Sequence, residues 1–513
     1  MEEENNNIND IPKINGKEIG VKEVPINSPN NMESPRIKKS QEAGRNPTGI
    51  YIWVGILVVI QILIILFLGL FFKFGKLNHP KNYSEESKEE SNKEMANSYG
   101  LFQDVHVMVF VGFGFLYTYL KNHSWTSVAI NFFLAAFTIE FSLLTLAFFH
   151  CAIEDEWAKI ELDLSWIINA DFAAATVLVS LGGIIGKFSF PQYFLLVILE
   201  TIFCSLNYRV GEESLHAIDA GGSMYIHSFG AFFGVALTWV MYCGKKDKIK
   251  GNKNNGSSYV SNTFAFIGTI FLWMYWPSFN TALLSGHSRY RGIINTYLSM
   301  VGSCMSTFIV SLLVKRGKLN IEDILNASVS GGVIIGGPCN VVINPFASLT
   351  IGFCGGVIST LCFEFLSPFV QKHLSLFDTA GILNLHGIPG FLGGILTSIF
   401  ASSVSHKRWG EGYSEDFEKL VDRSPSKQAG FQLAALFTTL GISLAGGAIT
   451  GLLLNLPCLC PIEKYFVDSE YWEEEEGEDE ENKFLSLKST PQEIELTYPN
   501  SQKEKMKTET NII

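Results

Sequence analysis

A chain of 513 residues that is 47% hydrophobic, 13% aromatic and only 17% charged sweeps its charges into the two ends and the short polar gaps, which is membrane-protein usage. The formal net charge of -12 says little about a substrate, because the acid is concentrated in one run at 471–481, YWEEEEGEDEE, and such a block reads as a solvated tail. Most of the nine cysteines fall singly in apolar runs, and Cys458 and Cys460 form C-x-C rather than C-x-x-C, so no disulfide ladder, redox pair or zinc spacing is present. Nothing resembles a Walker loop, a dinucleotide fingerprint or a basic nucleic-acid stripe, so no cofactor, metal or nucleic-acid partner is expected.

In chain order, residues 1–48 are polar and lack the pattern of a cleaved signal peptide, so they read as a disordered cytoplasmic arm. Crossing a lipid bilayer takes roughly 20 apolar residues, and runs of that length recur twelve times, at about 49–72, 102–120, 127–149, 166–186, 190–209, 220–243, 262–285, 292–314, 322–342, 346–368, 378–401 and 430–455. The expected fold class is therefore an all-α polytopic membrane protein with 12 transmembrane helices. The ninth run is rich in glycine and broken near Pro338. Lysine and arginine in the short loops set the orientation. GKKDKIKGNK after the sixth run and KRGK after the eighth place both termini in the cytoplasm. Outside lie the loop at 73–101, with the glycosylation sequon Asn82-Tyr83-Ser84, and the loop at 402–429. Residues 456–513 form an acidic cytoplasmic tail.

Two stretches carry the chemistry. Residues 219–234 read DAGGSMYIHSFGAFFG and residues 378–393 read DTAGILNLHGIPGFLG. Each has a histidine eight residues after an aspartate, with glycines matched at Gly222 and Gly381 and again at Gly234 and Gly393. None of the other eight histidines has an acid at that distance. An ionisable residue inside a lipid-spanning helix is costly and marks a functional site by default. Five passes separate the pair, an odd offset, so the two helices run in opposite directions. The spacing thus predicts an inverted five-helix repeat with halves at 102–243 and 262–401 and a site at their interface. From opposite faces, eight residues carry each histidine about 12 Å inward, leaving an axial gap of about 6 Å in a core about 30 Å thick. Two imidazoles can close that gap.

Asp219 and Asp378 each start a helix, where an aspartate can cap exposed N–H groups or coordinate an ion. Capping is the preferred reading. The same depth reasoning places Phe172, in NADF, and Phe279, in YWPSFN, near the outer ends of their spans, where they can meet above His227. Asp171 beside Phe172 is a further intramembrane acid that must face protein or water.

The motifs FQDVHVMVFVGFGFLYTYL, INADF, DAGGSMYIHSFGAFFG, FLWMYWPSFN, INTYLS, NLHGIPG and DSEYWE resemble the Rh glycoproteins of the ammonium transporter/Rh superfamily, over about residues 100–472. The additional first span followed by a sequon resembles the Rh branch rather than the bacterial transporters. The resemblance implies a homotrimer that conducts ammonia or ammonium through one narrow pore per subunit. It implies that His227 and His386 are twin pore histidines, Phe172 and Phe279 an outer gate, Asp219 the acid supporting the outer helix, and Asn280 a pore-lining residue. The chain departs from the animal ammonia carriers at its mouths. Tyr208 follows Asn207 where they place an acid, and Asn262 and Asn320 stand where they have aspartates, while Glu212 and Glu213 are acids available outside. The residues leave three other readings open: a channel for carbon dioxide, a membrane oxidoreductase with histidine-ligated haem, and a structural subunit that works through its tail. A plasma membrane is the default location, with an acidic or osmoregulatory internal membrane as the alternative.

Overall fold

The computed structural model describes residues 47–75, 77–410 and 423–473. The predicted N-terminal arm up to residue 46, part of the outer loop at 402–429 and the acidic tail beyond 473 lie outside the described residues. In hydrocarbon every backbone polar group must be satisfied internally, and the chain answers with helices. The one described sheet is a two-stranded parallel pair, β1 (Phe72–Phe74) with β2 (Ile160–Leu162), in which Lys73 lies opposite Glu161.

Ten described helices are long and apolar enough to cross a membrane. The first, α1 (Pro47–Phe71), is exposed along most of its length. Its Gln61 amide donates to Glu140 at 2.8 Å and its Trp53 indole to the Cys458 carbonyl at 2.9 Å. Next come α2 (Glu85–Val107), which runs on to Tyr119, α3 (Ser124–Glu154), α4 (Leu164–Ile184) and α5 (Phe190–Arg209). Serine begins several of them, and Ser84, Ser189 and Ser258 each exchange side-chain and backbone bonds with the residue three positions on, a reciprocal cap that satisfies orphan donors.

Two of the twelve predicted spans fall outside that group of ten. The run at 262–285 forms α7 (Tyr259–Thr281), helical throughout with Pro277 inside it. The run at 322–342 is broken into Ile321–Asn326, a single turn at Ala327–Val329, and Ser330–Gly336. Its last helix therefore ends two residues before Pro338, and a second interruption lies nearer its start.

The centre is built from the two matched stretches. Ser223–Ser228 and Leu383–Gly387 are both wide π-helical turns, and they lead into α6 (Phe229–Tyr242) and α8 (Ile388–Ala401). Such turns recur at functional sites. The two helices cross along a seam of glycine. A Cβ on Gly390 would lie 2.6 Å from the Ser223 carbonyl, one on Gly393 2.6 Å from the Ser223 hydroxyl, one on Gly387 3.3 Å from Ala231, and one on Gly234 2.8 Å from Ile382. The partners advance along one helix as they retreat along the other, so the two run antiparallel.

At the end of the bundle that the sequence predicts to be the inner one, a segment after the last helix (Pro425–Leu454) folds back on the helix ends. The Phe466 amide donates to the Gly186 carbonyl at 2.8 Å, Asp468 accepts from the backbone and hydroxyl of Thr126 at the start of α3, and the Tyr471 hydroxyl donates to the Phe188 carbonyl.

Candidate functional site

Each histidine is delivered by the same local construction. Gly222 and Gly381 adopt left-handed backbone, with φ of 70° and 72°, a conformation glycine takes without steric cost. The turn lets the preceding aspartate fold over the helix start. Asp219 Oδ2 accepts from the amides of Met224 and Tyr225 at 2.9 and 2.8 Å. Asp378 accepts from Gly381 and Ile382 through Oδ1 and from Leu383 through Oδ2, each at 3.0 Å. Neither aspartate has a described metal cluster beside it.

His227 and His386 meet at the bottom of these turns. Their Nδ1 atoms are 3.2 Å apart, and their rings stack with centroids at 5.1 Å and an interplanar angle of 17°. Only one Nδ1 can carry the shared hydrogen, so the two rings hold opposite tautomers. Both are buried. The pair sits within a column of rings. Phe172 and Phe279 are 4.8 Å apart, Phe279 is 5.9 Å from His227, and His386 is 6.2 Å from Phe113. Trp276 flanks His227 at 5.6 Å. Phe113 and Trp276 carried no sequence signal of their own in a chain with 40 phenylalanines and nine tryptophans. Trp276 lies one helical turn before Phe279, which is the spacing that could have marked it.

Above Phe172 opens an outer cavity of about 470 Å³, lined among others by Phe172, Tyr208, Glu212, Asp219 and Tyr225. Asp219 Oδ1 is buried there without a described hydrogen-bond partner. Asp171, next to the gate position, is buried and lies 3.4 Å from His106 Nδ1. Asn280 is buried beside Gly221 and ties α7 to its neighbours, donating to Thr296 in Gly286–Val314 and to the Gly332 carbonyl in the broken segment. Asn82 is exposed at the end of a short turn, Pro80–Asn82.

On the inner side the residues around Asp378 are tied to neighbouring helices. The buried Lys187 ammonium donates to the Gly183 carbonyl at 2.7 Å and to the Phe377 carbonyl at 2.6 Å and lies over the Tyr242 ring. Burial pulls its pKa down to about 7 against the opposing pull of Asp378. The Ala380 amide reaches the Gly182 carbonyl, and the Tyr119 hydroxyl the Thr379 carbonyl. Lys187 escaped sequence reading because it stands in a three-residue gap between two apolar runs, where a lysine reads as loop. Asn320, further out on this side, donates to Glu364, which also pairs with Lys315 at 2.7 Å.

Antiparallel half-sites meeting at a buried histidine pair, within a bundle of apolar helices, define a polytopic membrane protein built as an inverted repeat. The family model for the Ammonium Transporter Family matches residues 61–482. The chain is 40% identical over 448 residues to ammonium transporter Rh type B of Danio rerio, covering 86% of this chain and 96% of that one. It is 38% identical over 459 residues to ammonium transporter Rh type C of Xenopus laevis, covering 87% and 94%. Among solved structures, Nitrosomonas europaea Rh50 superposes with a TM-score of 0.65 at 27% identity, covering 77% of this chain and 97% of that one. Candida albicans Mep2, at 20% identity and a TM-score of 0.57 over 72% and 86% of the two chains, shares the fold. The chain belongs to the Ammonium Transporter Family, in its Rh branch.

Proposed function

We propose that the protein conducts ammonia across a membrane, taking ammonium from the outer cavity and passing the neutral molecule between Phe172 and Phe279 and along the His227 and His386 pair. The observation that carries the reading is the 3.2 Å contact between two histidines brought from opposite faces. Carrying a bare charge to the bilayer centre costs from about 2.5 to about 17 kcal/mol, depending on the reference state. Ammonia carries no such penalty. It needs a donor and an acceptor along an otherwise apolar path, and a neutral imidazole supplies both. Asp219 and Asp378 hold the two helix starts, Asp171 and Asn280 brace the outer half, and the unit works as a homotrimer with a glycan on Asn82.

The test is a proteoliposome with an imposed ammonium gradient, recording internal pH and membrane current together. An alkaline transient without current is the expected result. His227→Ala or His386→Ala removes one polar station, worth about 1–3 kcal/mol when its partner is left buried, so flux should drop about tenfold or more. Unchanged flux in a folded variant would refute the role of the pair. A transient driven by carbon dioxide and none by ammonium would replace the cargo.

A further inference from the structure

We infer that the outer cavity is also a binding site for a bulky alkylated ammonium, a trimethylated or quaternary amine, which rests above Phe172 and Phe279 and does not pass them. The cavity is far larger than the proposed cargo needs. About 470 Å³ falls within the range of roughly 300–1,000 Å³ typical of pockets that enclose organic ligands, whereas ammonium is a single nitrogen.

The walls have the chemistry of an aromatic cage. Tyr208 and Tyr225 both line the cavity, with centroids 5.8 Å apart and planes at 90°, so they form two perpendicular faces. Phe172 closes the floor, held 4.8 Å from Phe279. Stacked electron-rich faces of this kind recognise methylated ammonium groups. Tyr208 already engages one cation, with the Arg209 guanidinium 5.5 Å from its ring centre.

The charge balance favours a cation. Arg209 pairs with Glu213 at 2.9 Å and more loosely with Glu212 at 3.4 Å. His150 Nδ1 lies 2.7 Å from the same Glu213 oxygen, so Glu213 is engaged from both sides, and it is the more loosely held Glu212 that lines the cavity. The buried Tyr225 hydroxyl has no described partner, an unmet polar group in the same wall. A quaternary amine has no N–H proton to surrender, so it cannot become the neutral species that the column of rings admits. It therefore occupies the vestibule in competition with ammonium.

The binding arm of the test does not depend on the conduction reading. Tetramethylammonium chloride is titrated calorimetrically into the purified full-length protein, against sodium chloride at matched ionic strength. Saturable binding is expected, preserved in Tyr208→Phe and weakened about tenfold in Tyr208→Leu. Absence of binding above the salt control, or equal binding in Tyr208→Leu, overturns the assignment. In proteoliposomes, tetramethylammonium added outside should slow the ammonium-driven alkaline transient, and Tyr208→Leu should lower the fractional block, with each protein compared with its own transient in the absence of the amine. Binding that leaves the transient untouched places the cation elsewhere and overturns the vestibule assignment. Binding by a protein that shows no transient at all would sink the conduction reading and leave this one standing.

Discussion

The outer and inner halves of the site share one construction and differ in what surrounds it. Both have an aspartate, a left-handed glycine three residues on and a histidine eight residues on, and both present that histidine from a π-helical turn. Outside, the construction faces a cavity, and Asp219 keeps one oxygen without a described partner. Inside, Asp378 uses both oxygens, and Lys187, Tyr119 and Gly182 fasten the residues beside it. The repeat fixes the geometry of the histidines, and the flanks decide what stands beside each aspartate.

That asymmetry can be broken from the inside. Lys187→Met keeps the length of the side chain and removes the ammonium, leaving the Gly183 and Phe377 carbonyls without that donor. The Gly183 carbonyl keeps donors from Thr238 and Thr379, so the cost is about 1–3 kcal/mol for the Phe377 carbonyl, read as a fall in the thermal midpoint of the purified protein. The outer counterpart is the buried Gln432, which accepts from the Ile218 amide and donates to the Ile218 carbonyl at 2.6 Å each, so Gln432→Leu should cost a comparable amount.

A second pair of variants sharpens the contrast at the aspartates themselves. Asparagine keeps one acceptor oxygen and exchanges the other for a donor. At Asp219 only Oδ2 binds backbone amides, so Asp219→Asn should cost about 1 kcal/mol or less. At Asp378 both oxygens accept, so Asp378→Asn should cost about 1–3 kcal/mol through one orphaned amide. Equal midpoints for the two variants would mean that the flanks do not distinguish the halves.

The smallest expected effect concerns the segment that latches the inner side. His123 is buried beside Tyr471, with Nδ1 4.0 Å from Asp468. Burial holds its pKa below the ordinary 6.5, outweighing the opposing carboxylate. The undocked state, with a free histidine, then binds more protons as the pH falls below 6.5, so docking weakens toward acid. The loss is at most about 1.4 kcal/mol per pH unit. Proteolytic release of the chain after residue 455 should therefore quicken from pH 7.5 to 5.5, and His123→Gln should flatten that dependence.

What the sequence made legible follows from period and depth. The Asp, Gly and His spacing showed the inverted pair, because helical rise converts eight residues into a depth, and the same arithmetic brought Phe172 and Phe279 to one level. The family resemblance carried the reading from a histidine pair to a cargo. Spans were readable wherever apolar residues ran unbroken. They were less so at 262–285, where serine, asparagine and threonine dilute the run, and at 322–342, where the helix breaks twice. Contacts made only by tertiary placement left no local trace. Lys187 reaching Phe377, Ser223 bridging the Val333 carbonyl and the Gly337 amide, and Asp468 capping α3 all join residues more than a hundred positions apart.

The glycine seam between α6 and α8 sets what the two halves can do as bodies. Any slide by one residue would drive a side chain into Ser223, whose carbonyl and hydroxyl leave even a single carbon at Gly390 or Gly393 only 2.6 Å of room. Packed surfaces of this kind do not deform continuously. A transporter that works by rocking one repeat against the other needs a joint that slips, and this one is keyed. On the proposed reading the protein is then a stationary conduit whose throughput depends on its openings and lining, and its rate should have the shallow temperature dependence of permeation rather than the steep one of a conformational cycle.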